Sequence, residues 1–549
     1  MKNLLFLFSL QVIITCLSNT VYSQHYEREF DKILNEQKFD NSPGYAVLVA
    51  KNDQVIYRKA FGYANLEQDV KLKPEHIFRI GSITKQFTAC AILKLEEEGK
   101  LSLQDDITKF IADYPTHGHT ITVEHLLTHT SGIKSYTSMM TWDAEMRKKD
   151  FTPEGLIKFF RNEPMDFAPG EKFLYNNSGY ILLGYIIEKA SGKPYEGFLK
   201  ETFFTPLDMK NTSYDKTSLI LKNRASGYQK KGDEFENADF LSMTQPYAAG
   251  SLLSTVDDLN KWYSAVMSDK VISKENRMKA HTSYILKDNK PTGYGYGWSL
   301  GNIQGSPMIE HGGGINGFLS ASLWLPEEKV FVAVFSNCTG NPPESTAFKL
   351  AAAAIGKPFN YQELKLEKEN LKEYIGVYES DEKETRTIVV DKDSLYYVYP
   401  AGNRLKLLPF GKDRFFIKDR FSEYTFNRNP KGKVVSLTAK GTGLLPLELH
   451  KTDKQVDVKK EVELPDELLD KYLGKYELMP EFILTITREG KRVFVQATGQ
   501  MRGEIFASEP HRFFSKDVNA EFIFHMDLFD QVTSLTLLQN GEHKAKKIN

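Results

Sequence analysis

Cysteine is the scarcest residue in this chain: Cys16, Cys90 and Cys338 are the three among 549. So few thiols, so far apart, exclude a disulfide framework. A dominant charge is missing too, because 71 Lys and Arg face 72 Asp and Glu for a formal net charge of -1. That balance gives no field to hold nucleic acid or an anionic membrane. No block of like charge and no low-complexity tract marks a disordered tail. After the N-terminal segment no apolar run reaches the roughly 20 residues that a membrane-spanning helix needs. What remains is a globular composition, 41% hydrophobic and 26% charged. It can bury a large core, and its length suggests two to four domains.

The first residues read as targeting. Met1-Lys2-Asn3 is a short positive start, Leu4 to Leu17 is mostly apolar, and Val21-Tyr22-Ser23 places small residues at the usual cleavage offsets. This predicts a signal peptide over 1–23, a mature start at Gln24 and export, to the periplasm or beyond. A retained anchor is disfavoured by the short apolar run. Lipid attachment at Cys16 is disfavoured because Ile14-Thr15 fits such a site poorly. Cys90 and Cys338 lie in apolar stretches and read as small buried hydrophobes.

Chemistry first shows at Ser82-Ile83-Thr84-Lys85. The run from Ile83 to Leu95 has apolar positions at helical spacing and no Gly or Pro, so a helix begins at the serine. Residues three apart share a helix face, which sets the Lys85 amine beside the Ser82 hydroxyl. A serine hydroxyl is a poor nucleophile until a base removes its proton. A lysine can be that base if its surroundings lower its pKa. Arg79-Ile80-Gly81 reads as a flexible approach to the helix. Two further triplets follow in order, Tyr175-Asn176-Asn177 and His311-Gly312-Gly313.

Together these motifs resemble the serine β-lactamase and penicillin-binding-protein superfamily, in its class C-like branch with D-amino-acid peptidases and β-lactamase-fold carboxylesterases. The resemblance extends through Ile121 to Gly132, Pro169 to Tyr180, Pro206 to Met209, Gly250 to Thr255 and Gly312 to Phe318, and covers roughly residues 27 to 357. It implies an α/β (α+β) β-lactamase-like fold, an antiparallel sheet flanked by helices plus an all-helical subdomain. Ser82 would attack an amide or ester carbonyl to form an acyl-enzyme. Lys85 and Tyr175 would share the proton work, with Lys85 lowering the phenol's pKa. Asn177 would donate to the substrate amide carbonyl and help hold Lys85. The N–H groups of Ser82 and Gly314 would meet the oxyanion, and glycine at 313 and 314 would let the substrate backbone lie close. One departure stands out: the best-matching β-lactamases carry lysine where this chain has His311. A lysine is a fixed cation for a substrate carboxylate, whereas a histidine titrates near neutrality. Weight therefore shifts from β-lactamase or D,D-carboxypeptidase toward a small-peptide, D-residue amide or ester hydrolase. No cofactor or metal is implied. The expected partner is a small-molecule or peptide substrate, with no nucleic acid, and the oligomeric state is open.

Tyr45 to Val49 and Val55 to Arg58 flank Asn52-Asp53 as a predicted hairpin. Residues from about Glu124 to Tyr263 read as mainly helical, and Met308 to His311, Leu319 to Leu325 and Val330 to Asn337 as returning strands. After Gly356-Lys357-Pro358 the texture changes. A charged linker, 358–372, precedes period-2 alternation with frequent turn residues, an all-β signal. This part repeats itself: Tyr374-Ile375-Gly376-Val377-Tyr378-Glu379 returns as Tyr472-Leu473-Gly474-Lys475-Tyr476-Glu477, a displacement of 98 positions. Arg414-Phe415-Phe416, Glu423-Tyr424-Thr425-Phe426 and Ser436-Leu437-Thr438 recur at that same displacement. A shared offset predicts a duplicated β-module, 373–451 and 452–549. Each half resembles the lipocalin-like domain appended to this hydrolase family, with alternating aromatics filling its interior. The hydrolase part is expected over 24–357.

Three other readings compete. Gly297-Trp298-Ser299-Leu300-Gly301 fits a Gly-x-Ser-x-Gly nucleophile elbow, but the residues after Ser299 read as a turn rather than a helix, and the glycine-rich His311 segment follows it rather than precedes it. His117, His119, His125 and His129 are close enough to suggest zinc, yet no His-Glu-x-x-His or Cys pair accompanies them. A non-catalytic peptide-binding protein on a hydrolase fold is the third. It sits poorly with intact Ser82, Lys85, Tyr175 and Asn177.

Overall fold

A computed structural model describes residues 26–548 apart from 233, 366–370, 382, 392, 400–403, 419, 457–460, 481, 499, 501, 517 and 540. The predicted signal peptide and Cys16 lie outside these residues. Among the described residues no helix is long and apolar enough to cross a membrane.

Two compact units are separated near residue 359. In the first, β1 (Tyr45–Lys51) and β2 (Gln54–Phe61) make the predicted hairpin. Its turn residues Asn52 and Asp53 adopt φ of 51° and 61°, the left-handed pair that matches strand twist and suits Asn and Asp. A short strand, β3 (Phe78–Arg79), precedes the helix α1 (Thr84–Glu97). Helix α2 (Asn177–Ser191) is capped by the Asn176 side chain, which accepts from Gly179 N at 2.8 Å, and is stopped by Gly192 at φ 72°. Then come β4 (Leu252–Ser254), α3 (Val256–Met267), β5 (Ser299–Ile303), β6 (Ser306–Ile315), β7 (Phe318–Leu325), β8 (Val330–Ser336) and α4 (Glu344–Ala354).

The sheet is antiparallel in the order β5-β6-β7-β8-β1-β2. Side chains alternate along β1, so one strand serves two cores. Ala46, Leu48 and Ala50 pack with α1 and α3 residues such as Phe87 and Trp262. Tyr45, Val47 and Val49 pack on the other face with Leu350, Ala351 and Ala354 of α4. Cys90 and Cys338 are free and buried, as hydrophobes.

The segment expected to be mainly helical is more mixed. Besides α2 it holds shorter helices, such as Pro153–Phe160, and a hairpin of Tyr228–Lys231 with Glu234–Asn237. That hairpin is mostly exposed and polar on both faces, so no apolar alternation marked it.

The second unit holds two closed antiparallel barrels of eight strands each, from Gly376–Glu379 to Leu447–Lys451 and from Gly474–Met479 to Glu542–Ile548. The duplication read from the sequence recurs bond for bond. Tyr378 Oη donates to Tyr374 O and Tyr476 Oη to Tyr472 O, both at 2.7 Å. Phe426 N donates to Asp413 O at 2.9 Å and Phe524 N to His511 O at 2.8 Å. Tyr397, Phe415 and Phe426 fill the first interior, and Ile486, Phe513 and Phe524 the second. Even the approach to each barrel repeats: Leu364 N bonds to Pro409 O at 2.8 Å and Val462 N to Ala507 O at 2.9 Å.

Candidate active site

Ser82 sits in a tight helical turn, Gly81–Ile83, that runs directly into α1. The approach is pinned rather than flexible. β3 pairs with β4, Ile80 N bonds to Leu252 O at 3.0 Å, and Arg79 Nε donates to Asp215 at 2.8 Å. Helix α1 is buried on nearly every side, and several of its polar groups find partners within the core. Thr88 Oγ1 donates to Ala248 O at 2.7 Å and Gln86 Nε2 to Tyr263 Oη at 2.7 Å. Lys85, the second residue of this helix and one turn beyond Ser82, is fully buried.

The Lys85 amine is 3.2 Å from Ser82 Oγ, 2.9 Å from Asn177 Oδ1 and 2.9 Å from Ala249 O. No carboxylate touches it among the described residues, and burial pushes its pKa well below the ordinary lysine value. Asn177 is the first residue of α2; its N–H donates to Ser135 Oγ at 3.2 Å and its Nδ2 to Thr137 Oγ1 at 3.1 Å, which orients the Oδ1 toward Lys85. The ring of Tyr175 lies 4.8 Å from the amine. Although 37% of Tyr175 is exposed, its hydroxyl is desolvated and feels the Ser82 side chain. Burial raises the phenol's pKa and Ser82 only partly offsets this. The expected lowering by Lys85 is not seen: burial is the largest influence on the phenol, and Lys85 is not among the groups that offset it.

Gly313 and Gly314 lie in β6 against the serine turn. A Cβ on Gly313 would fall 2.0 Å from Ile80 O, and one on Gly81, which has φ 50°, would fall 2.9 Å from Gly314 N. Only glycine permits that approach, which sets the Gly314 amide beside the residue preceding Ser82. His311, also in β6, is buried, with Nε2 2.9 Å from Tyr294 Oη and Nδ1 2.5 Å from Gly312 O. A carbonyl can only accept, so Nδ1 carries the proton and Nε2 accepts from Tyr294. Burial first, and the Lys85 amine next, lower its pKa to about 3. The expected titration near neutrality is corrected: at pH 7 this imidazole is neutral.

The structure thus gathers Ser82, Lys85, Tyr175, Asn177, His311, Gly313 and Gly314 into one place. Sequence reasoning missed others there. The Ala249 carbonyl carries no side-chain signal. Tyr294, flanked by Gly293 and Gly295, offered only an ambiguous turn. His129 clasps the second motif: Leu174 N donates to its carbonyl and Asn176 N to its Nδ1, both at 3.0 Å. Its ring lies 4.4 Å from that of Tyr175, the residue between those two bonds. His125 is likewise occupied, in a capping box with Thr122. Among the described residues no three His, Cys, Asp or Glu converge as for a metal. Ser299 opens strand β5 opposite Glu310 and is not at a strand-to-helix turn, which removes the elbow reading.

Residues 30–356 match the family described as Beta-lactamase. The chain belongs to the beta-lactamase family. It is a family of serine hydrolases that includes penicillin-binding proteins. Penicillin-binding protein 4* of Bacillus subtilis (strain 168) is 27% identical over 429 residues, 73% of this chain and 93% of that protein. The octameric penicillin-binding protein homologue from Pyrococcus abyssi is 31% identical with a TM-score of 0.55, covering 78% of this chain and 99% of its own. D-amino acid amidase from Ochrobactrum anthropi SV3 shares the fold at 23% identity and a TM-score of 0.53, over 61% of this chain and 98% of its own. Residues 363–460 and 458–549 each match a domain of unknown function, DUF3471.

Proposed function

We propose that this beta-lactamase-family chain is an exported serine hydrolase that cleaves an amide or ester through an acyl-enzyme on Ser82. The observation that carries the reading is the count of partners around the Lys85 amine. A neutral amine has two N–H donors and one lone pair. Asn177 Oδ1 and Ala249 O, each at 2.9 Å, take the two donors, which leaves the lone pair to face Ser82 Oγ at 3.2 Å. Lys85 is therefore the base that takes the Ser82 proton as the oxygen attacks the carbonyl. Tyr175, protonated by virtue of its raised pKa, donates to the departing alkoxide or amine and regains its proton by way of Lys85. The N–H groups of Ser82 and Gly314 receive the oxyanion, and Asn177 Nδ2 reaches the substrate carbonyl. Water then releases the acid. The hydrolase domain is assigned to 24–357, after a signal peptide over 1–23, with the linker at 358–372 and the modules at 373–451 and 452–549.

Within this class the neutral His311 favours esters and small amides, D-residue amides included, over β-lactams that present a carboxylate. A β-lactamase or D,D-carboxypeptidase is the second reading, favoured by the similarity to penicillin-binding proteins. Steady-state rates separate them: p-nitrophenyl butyrate should be turned over with a higher kcat/KM than nitrocefin. A nitrocefin value equal to or above the ester's would restore the second reading.

A further inference from the structure

A cavity of about 230 Å³ opens in the hydrolase unit beside strands β3 and β4. Ile77, Leu253 and Phe318 form buried apolar walls, and Arg79, Arg224 and Asn316 supply the polar ones. The cavity is tied to the reaction centre at two points. Arg79 stands three residues before Ser82 and pairs in register with Leu253. Asn316 stands two residues after Gly314, whose amide packs against Gly81. Residues that neighbour both oxyanion donors in sequence, Arg79 and Asn316, therefore line the same pocket.

Its charge is not balanced from within. Asp215 is 1% exposed and takes both guanidinium groups, Arg79 Nε at 2.8 Å and Arg224 through an Nη. One guanidinium neutralises one buried carboxylate, so the second charge, on a half-buried Arg224 side chain, is left for solvent or a ligand. Arg224 Nε is buried without a hydrogen-bond partner, and no other ion pair engages either arginine among the described residues. Buried donors left unpaired are costly, and a ligand acceptor would relieve them. Asp239 stands at the rim, but it is exposed and its field is screened by water. Meanwhile the buried His311 is neutral at pH 7.

We infer that this cavity is a specificity pocket for the acyl part of the substrate, taking a short apolar chain that ends in a carboxylate. The arginine pair then supplies the anion recognition that His311 does not. This rests on the serine-hydrolase reading for its meaning, so the test uses binding as well as turnover. The Ser82→Ala protein is titrated with p-nitrophenyl hydrogen adipate and with p-nitrophenyl hexanoate, which match in chain length and differ in the terminal carboxylate. The adipate should bind about tenfold more tightly, as a charge-assisted contact allows, and Arg224→Gln in that background should erase the difference while Arg224→Lys keeps part of it. Asn316→Trp, which narrows the mouth without disturbing Asp215, should weaken both ligands. Equal affinities in the Ser82→Ala protein, or a preference that survives both Arg224→Gln and Asn316→Trp, would overturn the pocket. Turnover of the same esters by the intact chain, lost in Ser82→Ala, separately judges the reading on which the pocket rests.

Discussion

At the scale of single residues, burial sets the protonation behaviour on which the proposed chemistry depends. Among the described residues no carboxylate holds the Lys85 proton, and burial moves its pKa well below that of a free lysine. In the proposed mechanism the base form is the active one. kcat/KM should accordingly rise with pH through the depressed Lys85 pKa and then level off, well before the ordinary lysine range. Lys85→Ala should lower kcat by about 10²–10⁴-fold, the span of a general base, and abolish that limb; a limb that persists in the variant would assign it elsewhere. His311, at about 3, contributes no limb near neutrality. His129 is a positioning residue in the same sense. It holds a non-glycine φ of 58° and clasps both backbone neighbours of Tyr175. Asparagine tolerates that backbone and its Oδ1 can replace Nδ1 as the acceptor for Asn176 N–H. His129→Ala should therefore reduce kcat with little change in KM, and His129→Asn should recover a substantial part of it. Equal losses in the two variants would mean the ring, not the acceptor, is what matters.

Among the elements, strand β6 has two kinds of residue in sequence. His311 points at the site, and Glu310 beside it is a carboxyl whose pKa burial raises to about 7, with Glu344 adding repulsion and a bond to Ser299 partly offsetting both. A carboxyl whose folded pKa is raised holds its proton in the folded state after the unfolded chain has lost it. Stability from this group is therefore full below about 4.5, falls as pH rises toward about 7, and is flat beyond. Glu310→Gln should unfold at a higher temperature than the natural chain by a margin that grows between those two values. Thermal melts at stepped pH check this, and a margin independent of pH would contradict it. The elements themselves were legible to different degrees. β1, β2, α1 and the barrel strands follow a clear period of apolar residues, so pattern alone located them. The hairpin at Tyr228–Asn237 did not follow one, because it is polar on both sides. In the site, Ser82, Lys85, Tyr175 and Asn177 were readable from motif spacing. The Ala249 carbonyl, the clasp by His129 and the Tyr294 bond to His311 were not, since each depends on a contact between segments distant in sequence. The charge of His311 and the direction of the Tyr175 shift were misjudged for one shared reason: sequence gives the residue type but not the depth at which it is buried.

On the scale of the whole molecule, a sheet with two helical faces places one short turn against one glycine-rich strand, and two closed barrels follow in a separate unit. Closing each barrel removes the free strand edges that a lone β-module would expose. The duplicated bonds at Tyr378 and Tyr476 give both barrels the same internal brace. The proposed chemistry lies entirely at Ser82. The most direct measurement is an adduct map. The full chain is treated with a fluorophosphonate, digested, and the modified peptide identified by mass spectrometry. The label should be found on the peptide that contains Ser82, and Lys85→Ala should slow its appearance by orders of magnitude. A label on Ser299, or labelling of Ser82 at the same rate without Lys85, would contradict the account.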